Sequence, residues 1–150
     1  MTTPVPAATL DGVRIDAWKG EHELALGQLE ALGRAIQAED WPSMDRVARW
    51  MYEVQRPHHE AEERDLFPLL EEIGAEALLE LLQEDHRRVW TLTLDLLAGI
   101  VDGHAAHSQA TLGTARKLLD LLTDHIETEE RLMLPLLRGK SLYTPDEVTE

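Results

Sequence analysis

A chain of 150 residues without a single Cys is long enough to bury one core unaided, and it excludes disulfides, thiolate zinc sites, iron–sulfur clusters and cysteine nucleophiles. With 29 Asp and Glu against 14 Lys and Arg, the net charge of −15 repels phosphate backbones and excludes nucleic acid as a partner. No apolar run approaches the ~20 residues of a membrane helix and the first thirty residues resemble no signal peptide, so the expectation is a soluble, cytoplasmic chain with no membrane partner.

Taken in chain order, residues 1–10 (MTTPVPAATL) carry two Pro and little periodicity and read as a flexible N-terminal arm. Apolar residues at helical spacing then predict a helix over 12–38, interrupted from Glu39 to Ser43. A second helix is expected over 43–72, bent where Pro57 and Pro68 each remove a backbone hydrogen bond. Gly74 breaks the pattern, a third helix follows over 76–100, and the stretch from Gly99 to Ser108 forms the next connection. The fourth helix is expected over 108–138, bent at Pro135, with a tail at 139–150. Leu runs broken by charges suit amphipathic helices, and short connections set neighbours antiparallel. The expected fold is therefore all-α, one domain at 11–138 folded as an up-down-up-down four-helix bundle.

The segment HHEAEERDLFPLL at 58–70 recurs as HIETEERLMLPLL at 125–137, identical at eight of thirteen positions, so the bundle reads as two related helical hairpins. In each copy a His precedes a Glu by four residues, His58 with Glu62 and His125 with Glu129, which puts each pair on one helix face. Val54, Leu66 and Leu69 extend the first stripe, and Leu118, Leu121, Leu132 and Leu136 the second, which marks both faces as inward. A buried carboxylate costs several kcal/mol unless a cation compensates it, and a metal is the obvious compensation.

Residues equidistant from a turn lie level in antiparallel helices. His22 and His58 are symmetric about Asp40, Glu62 and His86 about Gly74, and His86 and His125 straddle the third connection. Four imidazoles and two carboxylates thus meet at one height, a donor set suited to two carboxylate-bridged metals with positions left over for a small exogenous ligand.

This constellation resembles the haemerythrin-like, or HHE cation-binding, family of four-helix bundles, from about Ile15 to Leu137. The resemblance implies iron, as an oxo- or hydroxo-bridged pair, with ligands His22, His58, Glu62, His86, His125 and Glu129. Oxygen-carrying members have a second His four residues after the third-helix ligand, where this chain has Trp90. The fourth-helix carboxylate of the carriers would fall on Glu130, whereas many bacterial members use the position of Glu129, which also repeats Glu62; Glu129 is preferred and Glu130 stays open.

Several other residues stand near these ligands. His59 lies about 100° round the helix from His58 and reads as exposed, or, as the lesser alternative, as a ligand or a group beside one. Glu63 and Glu130 read either as acceptors for ligand imidazoles or as acidic surface, and His104 and His107 as loop residues. Trp18 and Trp90 fall on the ligand stripes, as core packing or, for Trp90, as a wall of the open coordination position. The expected function is binding of dioxygen, nitric oxide or peroxide in sensing or stress response, by a monomer or weak homodimer. Ferroxidase, peroxidase or iron-centre repair activity and an iron-dependent regulatory or storage role are the alternatives, because one ligand set serves all of them.

Overall fold

The computed structural model describes residues 12–101 and 109–142, and every element among the described residues is helical. The expected arm at 1–10, His104 and His107 of the third connection, and the end of the tail at 143–150 lie outside the described residues.

Helix α1 spans Gly12–Ala38. It ends at Glu39, whose φ of 51° reverses the chain. Asp40 then caps the next helix, its carboxylate accepting from the Ser43 backbone N–H at 3.2 Å and from the Ser43 hydroxyl at 2.6 Å. Pro42 sits in the first turn, where no backbone N–H is needed, so helix α2 (Trp41–Trp50) starts two residues before the expected 43.

The three internal prolines are accommodated in two ways. A wide π turn, Met51–Gln55, precedes α3 (Arg56–Asp65), and the Arg56 N–H reaches back five residues to the Met51 carbonyl. Pro57 follows directly, and the widened turn relieves the clash its ring would make with the carbonyl four residues back. Pro135 repeats the arrangement, with the π turn Glu129–Met133 and the Leu134 N–H bonded to the Glu129 carbonyl. At Pro68 the helix instead breaks, with Leu66 at φ −107° between α3 and α4 (Phe67–Glu72).

Gly74, at φ 79°, turns the chain into α5 (Glu76–Val101), and α6 (Gln109–Thr128) leads through the second π turn to α7 (Leu134–Leu142). The last helix thus runs past 138, four residues into the expected tail. Helix α1 packs on α2 and α6, and α5 packs on the same two, which closes a four-sided bundle.

Two apolar clusters fill it. One gathers Leu29, Leu32, Met44, Met51, Val89, Leu118 and Leu122; the other gathers Trp18, Leu66, Phe67, Leu70, Leu82, Met133 and Leu137. On each side of the bundle a buried polar layer, at His22, at 55–62, at 85–86 and at 125–129, falls between the two clusters along the chain.

The inward faces differ from expectation in a regular way. Val54, Leu132 and Leu136 are exposed, Leu121 is half-buried, and Leu66, Leu69 and Leu118 are buried. Taking the bundle's four sides as rods (α1, α2 to α4, α5, and α6 to α7), in the second rod His58 and His59 both point inward. At about 100° per residue, Gln55 then lies under the direction that bisects them and Val54 roughly 90° away. In the last rod the extra residue of the π turn advances the inward face by one position, so Met133 and Leu137 are buried in place of Leu132 and Leu136.

Helices α5 and α6 approach closely at Gly99, where an added Cβ would lie 2.8 Å from the Thr111 hydroxyl oxygen. Gly99→Ala is expected to destabilise by ~1–3 kcal/mol through overpacking, whereas Gly27→Ala, with nothing within 4 Å of its Cβ, should stabilise by ~0.5–1 kcal/mol. Urea titrations of the two variants read both signs.

Candidate metal centre

All six residues expected as ligands meet inside the polar layer, each no more than 6% exposed. His22 comes from α1, His58 and Glu62 from α3, His86 from α5, His125 from α6, and Glu129 from the start of the second π turn. The two carboxylates divide their oxygens between two pairs of imidazoles. Glu62 sets Oε2 3.0 Å from His58 Nε2 and 3.6 Å from His22 Nε2, and Oε1 2.9 Å from His86 Nε2. Glu129 sets Oε1 3.0 Å from His22 Nε2 and Oε2 2.9 Å from His125 Nε2.

The same geometry leaves atoms unsatisfied. Of six buried side-chain nitrogens and oxygens without a hydrogen-bond partner among the described residues, five are His22 Nε2, His58 Nε2, His59 Nδ1 and both oxygens of Glu129. Orphaned polar atoms are costly in an apolar interior, and five converging in one layer make a cradle for cations. Two groups of donor atoms, each mutually within 4.8 Å, can be drawn: His22, His58, Glu62 and Glu129, and His59, Glu62, His86 and His125.

Behind the donors stands an outer ring of carboxylates. The Nδ1–H of His22 donates to Glu130 at 2.9 Å, that of His86 to Glu63 at 2.7 Å, that of His125 to Asp85 at 3.0 Å, and that of His58 to Glu21. Each such bond leaves Nε2 as the atom facing inward and raises the ring's basicity. The ring repeats with the hairpin duplication, Glu130 serving His22 as Glu63 serves His86, and Glu21 serving His58 as Asp85 serves His125. Trp18 Nε1–H donates to Glu62 Oε2 at 3.0 Å.

The electrostatics follow from this packing. Burial opposes charge on His22, yet the close carboxylates of Glu129 and Glu62 outweigh it and push its pKa up to about 10. His86 rises to about 9 against burial through the same two neighbouring carboxylates. His125 rises to about 10 against burial, through the charge of Glu129 and the hydrogen bond to Asp85. His58 is also raised against burial, by Glu62 and then Glu21. Glu129 moves well below the ordinary carboxyl value despite burial, chiefly through the charge of His125.

His59 is the main correction to the sequence reading. Expected on the surface, it is fully buried, stacked on His86 at 3.8 Å between ring centroids, with the Trp90 ring edge-on at 5.1 Å. Burial, then the charges of His86 and His125, hold its pKa well below the ordinary imidazole value. The repeat carried a signal for this burial, since the counterpart of His59 is the buried Ile126. Glu21 and Asp85 were also missed; each directly precedes a His of the inner donor set, as Glu21-His22 and Asp85-His86. Glu63 and Glu130 take the outer positions, and Glu129 the inner one.

Among the described residues no helix is long and apolar enough to cross a membrane. The family described as Hemerythrin HHE cation binding domain matches residues 13–137. Comparison with curated proteins and with solved structures gives no match.

Proposed function

The chain belongs to the Hemerythrin HHE cation-binding domain family, a metal-binding class, and from that premise we propose that it is a non-haem di-iron protein binding dioxygen, nitric oxide or peroxide in a sensing or stress response. The observation that carries this reading is the division of each carboxylate between two imidazole pairs. His22 and His58 would hold one iron and His86 and His125 the other, with Glu62 and Glu129 bridging, inside an antiparallel up-down-up-down bundle. When bound, the pair would supply redox-active coordination positions for a small ligand.

The chain's own residues prepare that site. The outer carboxylates orient the four Nε2 atoms, the Trp18 N–H holds Glu62 in place, and the apolar clusters on either side exclude water. Anaerobic ferrous loading followed by air should give two irons per chain, with absorption bands that shift on adding azide, nitric oxide or peroxide. Failure to take up metal in stoichiometric amount would sink the proposal, and sustained turnover of peroxide or ferrous iron would move it to the enzyme class.

Asp85→Asn removes the charge behind His125 without changing side-chain volume. Metal affinity should fall ~10–100-fold in chelator-competition titrations, while the helical content of the metal-free protein stays the same.

A further inference from the structure

Five buried imidazoles surround the centre, and one of them is held differently from the rest. His22, His58, His86 and His125 each tie Nδ1 to a carboxylate. A carboxylate only accepts, so it fixes the proton on Nδ1 and commits Nε2 to the interior. His59 instead has Nε2 3.1 Å from the amide nitrogen of Gln55, which is itself 2% exposed, and its Nδ1 is buried with no partner.

An amide serves either tautomer of a histidine. As placed, its NH2 donates to an unprotonated His59 Nε2, and the ring proton sits on Nδ1. Turned over about its last bond, the amide would offer oxygen to an Nε2–H and leave Nδ1 with a free lone pair. Gln55 is buried because it lies under the inward direction set by His58 and His59, at the end of the π turn Met51–Gln55. It also lines a cavity of about 430 Å3, with Trp18, Val54 and His58.

We infer that His59 is a detachable fifth nitrogen ligand whose state is set by the Gln55 amide. With the ring flat on His86, a His59 nitrogen already lies within 4.8 Å of donor atoms of Glu62, His86 and His125. In one state the ring tilts off the stack so that Nδ1 joins them around the second cation, with Nε2–H accepted by the amide oxygen. In the other the ring lies flat on His86, Nδ1 keeps its proton, and a coordination position is free for an exogenous ligand. The inference rests on the two-cation reading above. A neutral amide leaves His59 the least basic of the five donors and the most readily exchanged.

The test uses the full chain, with Gln55→Glu and with His59→Phe, which keeps the stacked ring but removes both nitrogens. Nitrogen-15 imidazole spectra assign tautomers in the metal-free and zinc-loaded protein. The wild-type His59 should carry its proton on Nδ1 without metal and on Nε2 with two zinc ions bound, and Gln55→Glu should carry it on Nε2 in both. In the iron-loaded proteins the azide dissociation constant should fall about tenfold in His59→Phe and rise about tenfold in Gln55→Glu. Two metals bound with the His59 proton still on Nδ1, or azide affinities within twofold across the three proteins, overturn this inference and leave the two-cation reading standing. Failure of the wild type to take up two metals overturns both.

Discussion

Glu129→Gln should empty both halves of the centre together. One oxygen of Glu129 lies 3.0 Å from His22 Nε2 and the other 2.9 Å from His125 Nε2, so a single substitution withdraws a negative donor from each cation position. The amide keeps the volume but replaces one oxygen with an N–H group that cannot ligate. Affinity should drop on the order of 100-fold or more at both positions, exceeding the ~10–100-fold typical of outer residues. Glu130→Gln is the natural comparison. Glu130 touches only Nδ1 of His22 from the outer ring, so its loss should weaken one position by roughly tenfold and leave the other intact. Titration of both variants with ferrous iron under anaerobic conditions separates the outcomes. Equal losses would refute the division into inner and outer carboxylates.

Metal-free protein should become less stable as pH rises above neutrality, and metal should reverse that trend. The pKa values of His22, His86 and His125 are raised from 6.5 to about 10, 9 and 10, so each contributes stability that is fully present below pH 6.5 and lost as pH climbs through 9 to 10. Glu129, lowered from 4.5, contributes in the opposite sense, with stability present above pH 4.5 and lost in acid. His59, held well below 6.5, likewise contributes stability that is lost as pH falls below 6.5. The metal-free optimum therefore sits near pH 6.5, and its melting temperature should drop by roughly 10 °C between pH 6.5 and pH 9.5. Metal binding releases these protons, so the loaded protein should hold or gain stability over the same range. Calorimetric scans of both forms across that range provide the check. Parallel curves for the two forms would show that the imidazoles are not where the metal acts.

Much of this architecture was legible in the residues. The repeat at 58–70 and 125–137, the turn signals at Asp40 and Gly74, and the i, i+4 spacing of His58 with Glu62 and His125 with Glu129 are local features. They placed helices, connections and the six inner residues because helical period and turn chemistry act over a few neighbouring positions. Pairing each His with its level partner needed only equal distances from a turn.

What local spacing could not reach were the partners that cross between helices and the register shifts inside them. Glu21 meets His58 and Asp85 meets His125 across helix interfaces, and residues so far apart along the chain carry no spacing rule of their own. The π turn at Glu129–Met133 moves the inward face by one residue, which exposes Leu132 and Leu136 and buries Met133 and Leu137. His59 faces inward because the second rod presents the bisector of His58 and His59 to the core, a rotation set by packing on its neighbours. The sequence by itself determined the helices, their turns and the inner donor set; only the tertiary structure decided each helix's rotation about its axis, and with it which residues stand behind, beside or between those donors.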